Sequence, residues 1–307
     1  MSKFAIVFPG QGSQAVGMLA ELAEQYESVQ QTFAEASEVL GYDLWALVQN
    51  GPAEALNETH RTQPALLTAS VAIWRVWQAE GGAQPAVLAG HSLGEYSALV
   101  CAGVLDFKDA VKLVELRGQL MQEAVPAGVG AMSAIIGLEN DAIATACEEA
   151  AQGEVVAPVN FNSPGQVVIA GHKAAVERAN ELCKAAGAKR ALPLPVSVPS
   201  HCELMKPAAE KLAQALESVA FNTPAIPMIN NADVATETDP AAIKLALVKQ
   251  LYGPVRWTES VERMAAEGVE LLLEVGPGKV LTGLTKRIVK SLNGAAVNDS
   301  ASLAAAK

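Results

Sequence analysis

The chain carries a candidate serine nucleophile at position 92. Gly90-His91-Ser92-Leu93-Gly94 has the form G-x-S-x-G. The short apolar run Ala86-Val87-Leu88-Ala89 before it suits a buried strand. After it, Leu93, Tyr96, Leu99 and Val100 recur at helical spacing. A strand, a sharp turn and a helix are what a nucleophile elbow requires, because the turn lifts the serine hydroxyl clear above the helix N-terminus. Ser92-Leu93-Gly94-Glu95 also reads as a capping box, with Ser92 only closing a helix. A cap explains Ser92 and Glu95 but not two flanking glycines. Gly94 near a helix start costs about 1 kcal/mol against alanine, so it points to strand and helix passing close together.

A serine nucleophile needs a base, usually histidine. Four histidines are available: His60, His91, His172 and His201. His91 adjoins the serine and suits shaping the elbow. His60 falls in a polar loop and His172 at the start of a helix, both ordinary surface settings. His201 lies in Val198-Pro199-Ser200-His201-Cys202-Glu203, where Ser200 and Glu203 form a second capping-box pattern that predicts His201 at the first position of a helix. A helix N-terminus disfavours imidazolium, so a catalytic His201 needs an acceptor on its second ring nitrogen. No acid between Ser92 and His201 stands out for that task. A free backbone carbonyl at a helix C-terminus is an alternative, and the helix ending at Lys249-Gln250, before Gly253-Pro254, is one supplier.

Two further features bear on the chemistry. The first strand, Phe4–Phe8, runs into Pro9-Gly10-Gln11-Gly12-Ser13-Gln14. Gly12 and Gly17 have phosphate-loop spacing, but Met18 stands where lysine is required. What remains is a turn with exposed N–H groups, either an oxyanion site or a plain tight turn. Arg117 falls within the apolar stripe Ala110, Leu113, Val114, Leu120, Met121, Ala124. An unpaired charge facing a core costs several kcal/mol, so Arg117 either pairs with a distant acid or receives an anionic ligand.

The elements that must hold these groups follow from pattern. The 307 residues are 50% hydrophobic and 18% charged, which is a globular composition. Helices are expected at about 18–39, 62–79 (with Pro64 in the first turn), 106–125, 203–218, 239–250, 258–267 and 278–290, and further strands at 226–230 and 270–275. This strand–helix alternation implies a parallel α/β core over 1–125 and 199–307. Residues 126–198 read as strand, helix, strand, strand, helix, strand, the ferredoxin-like order, and form an insertion. Residues 291–307 are small and polar and are expected to fray. No apolar run reaches the ~20 residues of a membrane span, and no secretory leader is apparent. Cys101, Cys147, Cys183 and Cys202 lack metal or redox spacing, so a cytoplasmic, metal-free protein with reduced packing thiols is expected. A net charge of −11 argues against nucleic acid as a partner.

Together, Gly10-Gln11-Gly12-Ser13-Gln14, Gln63-Pro64-Ala65, Gly90–Glu95, Arg117, Asn160–Gly171, Ser200-His201 and Glu274-Val275-Gly276-Pro277-Gly278 closely resemble the malonyl-CoA:acyl carrier protein transacylases of fatty-acid synthesis. The resemblance covers the chain to about residue 290. It implies an α/β-hydrolase-like core with a ferredoxin-like insertion, and Ser92 as nucleophile with His201 as base. It also implies the Gln250 main-chain carbonyl orienting His201, the N–H groups of Gln11 and Leu93 as oxyanion hole, and Arg117 on the malonyl carboxylate. Malonyl-CoA and a transiently bound acyl carrier protein are the implied partners of a monomeric enzyme without cofactor. Both partners are anionic, so Lys189, Arg190, Lys286 and Arg287 are expected to supply positive potential near the cleft. A serine thioesterase, a polyketide-type acyltransferase domain and a non-catalytic carrier-protein or acyl-CoA binding module are the competing readings.

Overall fold

A computed structural model describes residues 2–196 and 198–307. Its strands, in chain order, are β1 (Phe4–Phe8), β2 (Val87–Gly90), β3 (Gly130–Ile136), β4 (Val156–Ser163), β5 (Gln166–His172), β6 (Arg190–Pro193), β7 (Met228–Ile229), β8 (Leu271–Val275) and β9 (Asn293–Val297). The larger sheet has the order β7-β2-β1-β8-β9 and is parallel throughout. Its strands are apolar on both faces because helices cover both. Ile6, Phe8 and Leu88 face a core built with the Thr59–Ala79 and Phe107–Ala124 helices. Ala5, Val7, Val87 and Ala89 face Trp257, Val261, Met264 and Leu284 on the other side.

The second sheet, order β4-β5-β3-β6, is antiparallel. With the Asn140–Ala151 and Lys173–Ala185 helices it makes the expected β-α-β-β-α-β sequence. One face packs those helices through Ile135, Ile143, Ile169 and Val176. The opposite face sets Met132, Val159 and Val168 against Cys202, next to His201. Backbone bonds Phe161 N–H to Val255 O (3.0 Å) and Val255 N–H to Val159 O (2.8 Å) fasten β4 to the parallel-sheet part.

Four expectations need correction. Residues 291–307 do not fray: β9 extends the parallel sheet beside β8, and the Ser300–Ala306 helix, capped by Asp299, buries Leu303. Their small residues are what close packing on β8 uses. Pro64 lies inside its helix, which starts a turn earlier at Thr59. The 18–39 helix is two, Ala20–Gln25 and Glu27–Leu40, divided at extended Tyr26. His201 is not the first residue of a helix. It has φ 66°, and only a short 3-10 turn at Glu203–Met205, without a side-chain cap, precedes the Lys206–Leu216 helix.

Candidate active site

The site lies at the carboxyl ends of β1, β2 and β7. Open α/β sheets bind their ligands outside the carboxyl ends of their strands. The chain runs from β1 outward to β2 and later returns to the other side of β1 with β8. Gln11 follows β1, Ser92 follows β2 and Asn231 follows β7.

Ser92 has φ 53°, a left-handed backbone that side chains other than glycine adopt at a cost of about 1–3 kcal/mol. Packing enforces it. A Cβ on Gly90 would lie 1.9 Å from the Gly94 carbonyl carbon, and one on Gly94 would lie 2.2 Å from the Phe8 carbonyl oxygen. Strand and helix therefore touch backbone to backbone. Asn231 then clasps the turn: its Oδ1 accepts the Ser92 N–H (2.8 Å) and its Nδ2 donates to Gly90 O (2.7 Å). The Gly94–Cys101 helix has no side-chain cap, and Glu95 accepts from Asn231 N–H at 2.6 Å. The capping-box reading of Ser92 thus fails, and its hydroxyl is free for another partner.

That partner is His201, with Ser92 Oγ 2.7 Å from Nε2. On the other side of the ring, Nδ1 is 2.7 Å from the main-chain oxygen of Gln250. A carbonyl only accepts, so Nδ1 carries the hydrogen of the neutral ring and Nε2 is left as an acceptor for the serine O–H. The helix supplying this carbonyl runs Pro240–Tyr252, and Gln250 O lies in its last turn, where carbonyls lack helical partners. Burial, reinforced by the Arg117 charge, lowers His201 to about 3, so the ring is neutral at ordinary pH.

Arg117 is 0% exposed. Its Nη1 donates to Gln63 Oε1 (2.7 Å), and its Nη2 to Gln250 Oε1 (2.9 Å) and to Ser92 Oγ (3.4 Å). Its carbon stands 5.3 Å from the Tyr96 ring centroid, and its Nε has no partner among the described residues. It enters no ion pair among the described residues. Of the two expectations for Arg117, the distant-acid pair is absent there. A guanidinium is left facing the serine with neutral oxygens around it.

The Gly10–Gly12 turn abuts the elbow, since a Cβ on Gly10 would meet His91 O at 2.5 Å and Ser92 Cβ at 3.7 Å. Gly12 N–H donates to Gln14 Oε1, and Gln14 Nε2 to Asn57 Oδ1, which fixes the turn. The N–H groups of Gln11 and Leu93 donate to no acceptor among the described residues. His91 turns away from the hydroxyl, with Nε2 2.7 Å from Asn162 Oδ1 and its ring 5.6 Å from Trp257, and burial lowers its pKa. His172 Nδ1 accepts the Val155 N–H, and His60 faces Glu58. Lys189, just before β6, Arg190, at its start, and Lys286 and Arg287, in the Val280–Ile288 helix, are exposed and make no hydrogen bond to the serine group. Lys286 reaches Asn293 Oδ1.

Three participants escape sequence reasoning: Asn231, the Gln250 amide side chain, and Gln63 as the partner of Arg117. Gln250 Nε2 also donates to Ser92 O at 2.9 Å. Gln63-Pro64-Ala65 was visible as a motif without a task. Asn231 had one signal, its place just past the carboxyl end of a parallel strand. Among the described residues no cluster of three His, Cys, Asp or Glu side chains could hold a metal, and no helix is long and apolar enough to cross a membrane.

A strained serine bonded to a neutral histidine on a parallel sheet is equipment for acyl transfer, and the family model described as acyl transferase domain matches residues 5–305. The malonyl CoA-acyl carrier protein transacylase of Salmonella typhimurium is 71% identical over 306 residues, covering 100% of this chain and 99% of the relative. That of Bacillus subtilis is 50% identical over 300 residues, covering 97% and 94%. An acyl carrier protein S-malonyltransferase structure from Vibrio cholerae has a TM-score of 0.98 and 79% identity, covering 100% of both chains. A malonyl-transacylase solved in complex with a type II PKS acyl-carrier protein has a TM-score of 0.99 and 70% identity, covering 99% of each. The chain belongs to the malonyl CoA-acyl carrier protein transacylases.

Proposed function

We propose that this enzyme moves a malonyl group from malonyl-CoA to the phosphopantetheine thiol of acyl carrier protein by way of a malonyl ester on Ser92. His201 Nε2 takes the serine proton as Oγ attacks the thioester carbonyl. The Nδ1–H bond to Gln250 O holds the ring in the required tautomer and steadies the imidazolium that forms. The N–H groups of Gln11 and Leu93 receive the oxyanion, and losing one such donor costs about 3–4 kcal/mol in comparable sites. Coenzyme A leaves with the proton from His201, and the carrier thiol attacks the ester by the same steps reversed. No cofactor enters this scheme. We place the enzyme in the cytoplasm as a monomer, its parallel-sheet part (1–125 and 199–307) carrying the nucleophile and 126–198 forming an inserted unit. The malonylated carrier serves chain elongation in fatty-acid synthesis.

The observation that carries this reading is Arg117. A buried guanidinium without a carboxylate, within reach of the nucleophile, is a receptor for the free carboxylate of a malonyl group, which it can grip through two N–H donors. A serine thioesterase gives Arg117 no task. Coenzyme A release from malonyl-CoA separates the two: it is expected to stop near one equivalent without acceptor and to run on once holo carrier protein is added. Sustained release without acceptor contradicts the transferase.

A further inference from the structure

Glu95 lies behind the elbow, 1% exposed, and acyl transfer as described gives it no proton to move. A carboxylate buried this deeply needs a compensating charge or gives up its own. Its Oε1 accepts the Asn231 N–H (2.6 Å), Asn231 Oδ1 accepts Gln250 Nε2 (3.3 Å), and Gln250 Oε1 accepts Arg117 Nη2 (2.9 Å). One buried acid and one buried cation therefore stand at the two ends of a chain of amides, close enough to act on each other without touching.

Beside Glu95 is a cavity of about 10 Å³, lined by Glu95, Met228, Asn230, Glu237, Ile243 and Ala246. It has the room of a single water molecule. Asn230 Nδ2 is buried without a partner among the described residues, and Glu237 is half-buried.

We propose that the charge of Glu95 is coupled to that of Arg117 through the amides between them, so that whatever fraction of Glu95 is ionised in the unloaded site takes up a proton when the carboxylate of a malonyl group docks on Arg117. The inference rests on Arg117 as the malonyl receptor. Desolvation pushes Glu95 up to about 8, against the pull of the Asn231 N–H and of Arg117. A second anion on Arg117 cancels that last attraction, so the neutral acid gains further. The other groups around it leave the balance in place. Asp233 is paired with Lys249. Tyr96 on the same helix is held protonated, pushed up to about 12, and His201 and His91 are held neutral by burial. The step adds one proton from solvent to a Glu95 oxygen. Acyl transfer balances separately: the Oγ–C bond forms, the C–S bond breaks, and the serine proton leaves on the coenzyme A thiol. An acetyl group brings no charge and asks for no proton, so the pair reads the charge of the acyl group.

The test is a proton count on loading. Enzyme is mixed with malonyl-CoA in weakly buffered solution with a pH indicator, and the count is normalised to coenzyme A released, with the Ser92 adduct confirmed by intact mass. At pH 8 the wild type is expected to take up more protons than Glu95→Gln, an excess of up to about half a proton. The excess should vanish at pH 6, where Glu95 carries its proton before and after loading. Wild type loaded from acetyl-CoA should match the Glu95→Gln count, and this arm decides alone if the variant does not fold. Equal counts in all arms at pH 8, with the malonyl adduct formed, overturn the proposal. Failure to form the adduct overturns the transferase reading beneath it.

Discussion

Arg117 holds a positive charge out of water with no carboxylate in contact with it, an arrangement that costs several kcal/mol unless a more distant acid or a bound anion offsets it. Removing one side of a buried, hydrogen-bonded charge pair typically costs 2–5 kcal/mol. Arg117→Ala is therefore expected to lower kcat/KM for malonyl transfer by roughly a hundredfold or more, and for acetyl transfer far less. Equal losses for the two acyl groups would remove its role as charge reader. His201 makes the second residue-scale prediction. Because burial and Arg117 lower it to about 3, the ring keeps its basic form as pH falls through its ordinary value of 6.5. The acid limb of kcat/KM is expected well below 6.5, and a limb centred there contradicts the buried, neutral base. The same depression makes the unfolded chain bind a proton that the folded chain refuses, so His201 also weakens folding as pH drops from 6.5 towards 3. Ser92, His201 and Arg117 were legible in the sequence because each breaks a local pattern: a serine between glycines, a histidine without an acid, a charge on an apolar stripe. Asn231 and Gln63 were not, because an amide in a loop or helix looks the same whether it faces water or a guanidinium.

At the scale of elements, the elbow is set by backbone contact, which the Asn231 side chain then clasps. The Gly94–Cys101 helix starts against the carbonyl of Phe8 at the end of β1, and Gly90 closes β2 against the first turn of the same helix. Gly94→Ala is expected to push the helix off β1, at about 1–3 kcal/mol or more for overpacking. It should lower Tm and slow Ser92 acylation together. Unchanged Tm and rate would show that the contact does not set the turn. The ferredoxin-like order over 130–193 was readable because its strands and helices alternate cleanly and its turns are marked by glycine. The left-handed His201 was misread as a helix start because Ser200 and Glu203 imitate a cap, while the pull that decides its conformation comes from far along the chain: His201 N–H donates to Leu251 O and its ring to Gln250 O. β9 was missed for a similar reason. Its small residues carry no strand signal of their own, and β8 supplies the pairing.

At the scale of the whole molecule, two acidic partners must meet. The chain carries a net charge of −11 and delivers to a carrier protein that we take to be acidic as well, so encounter depends on a local reversal of sign. Lys189, Arg190, Lys286 and Arg287 are exposed and free to provide it. Reversing their charge to glutamate is expected to raise KM for carrier protein several-fold with kcat little changed, and the effect should shrink as salt screens it. An unchanged KM assigns docking to another surface. The central claim, that Ser92 carries malonate between two thiols, is tested most directly by intact mass. Enzyme mixed with malonyl-CoA should gain one malonyl group on Ser92, and on adding holo carrier protein that group should leave the enzyme and appear on the carrier. An enzyme that never gains the group, or loses it to water without the carrier gaining it, contradicts the account.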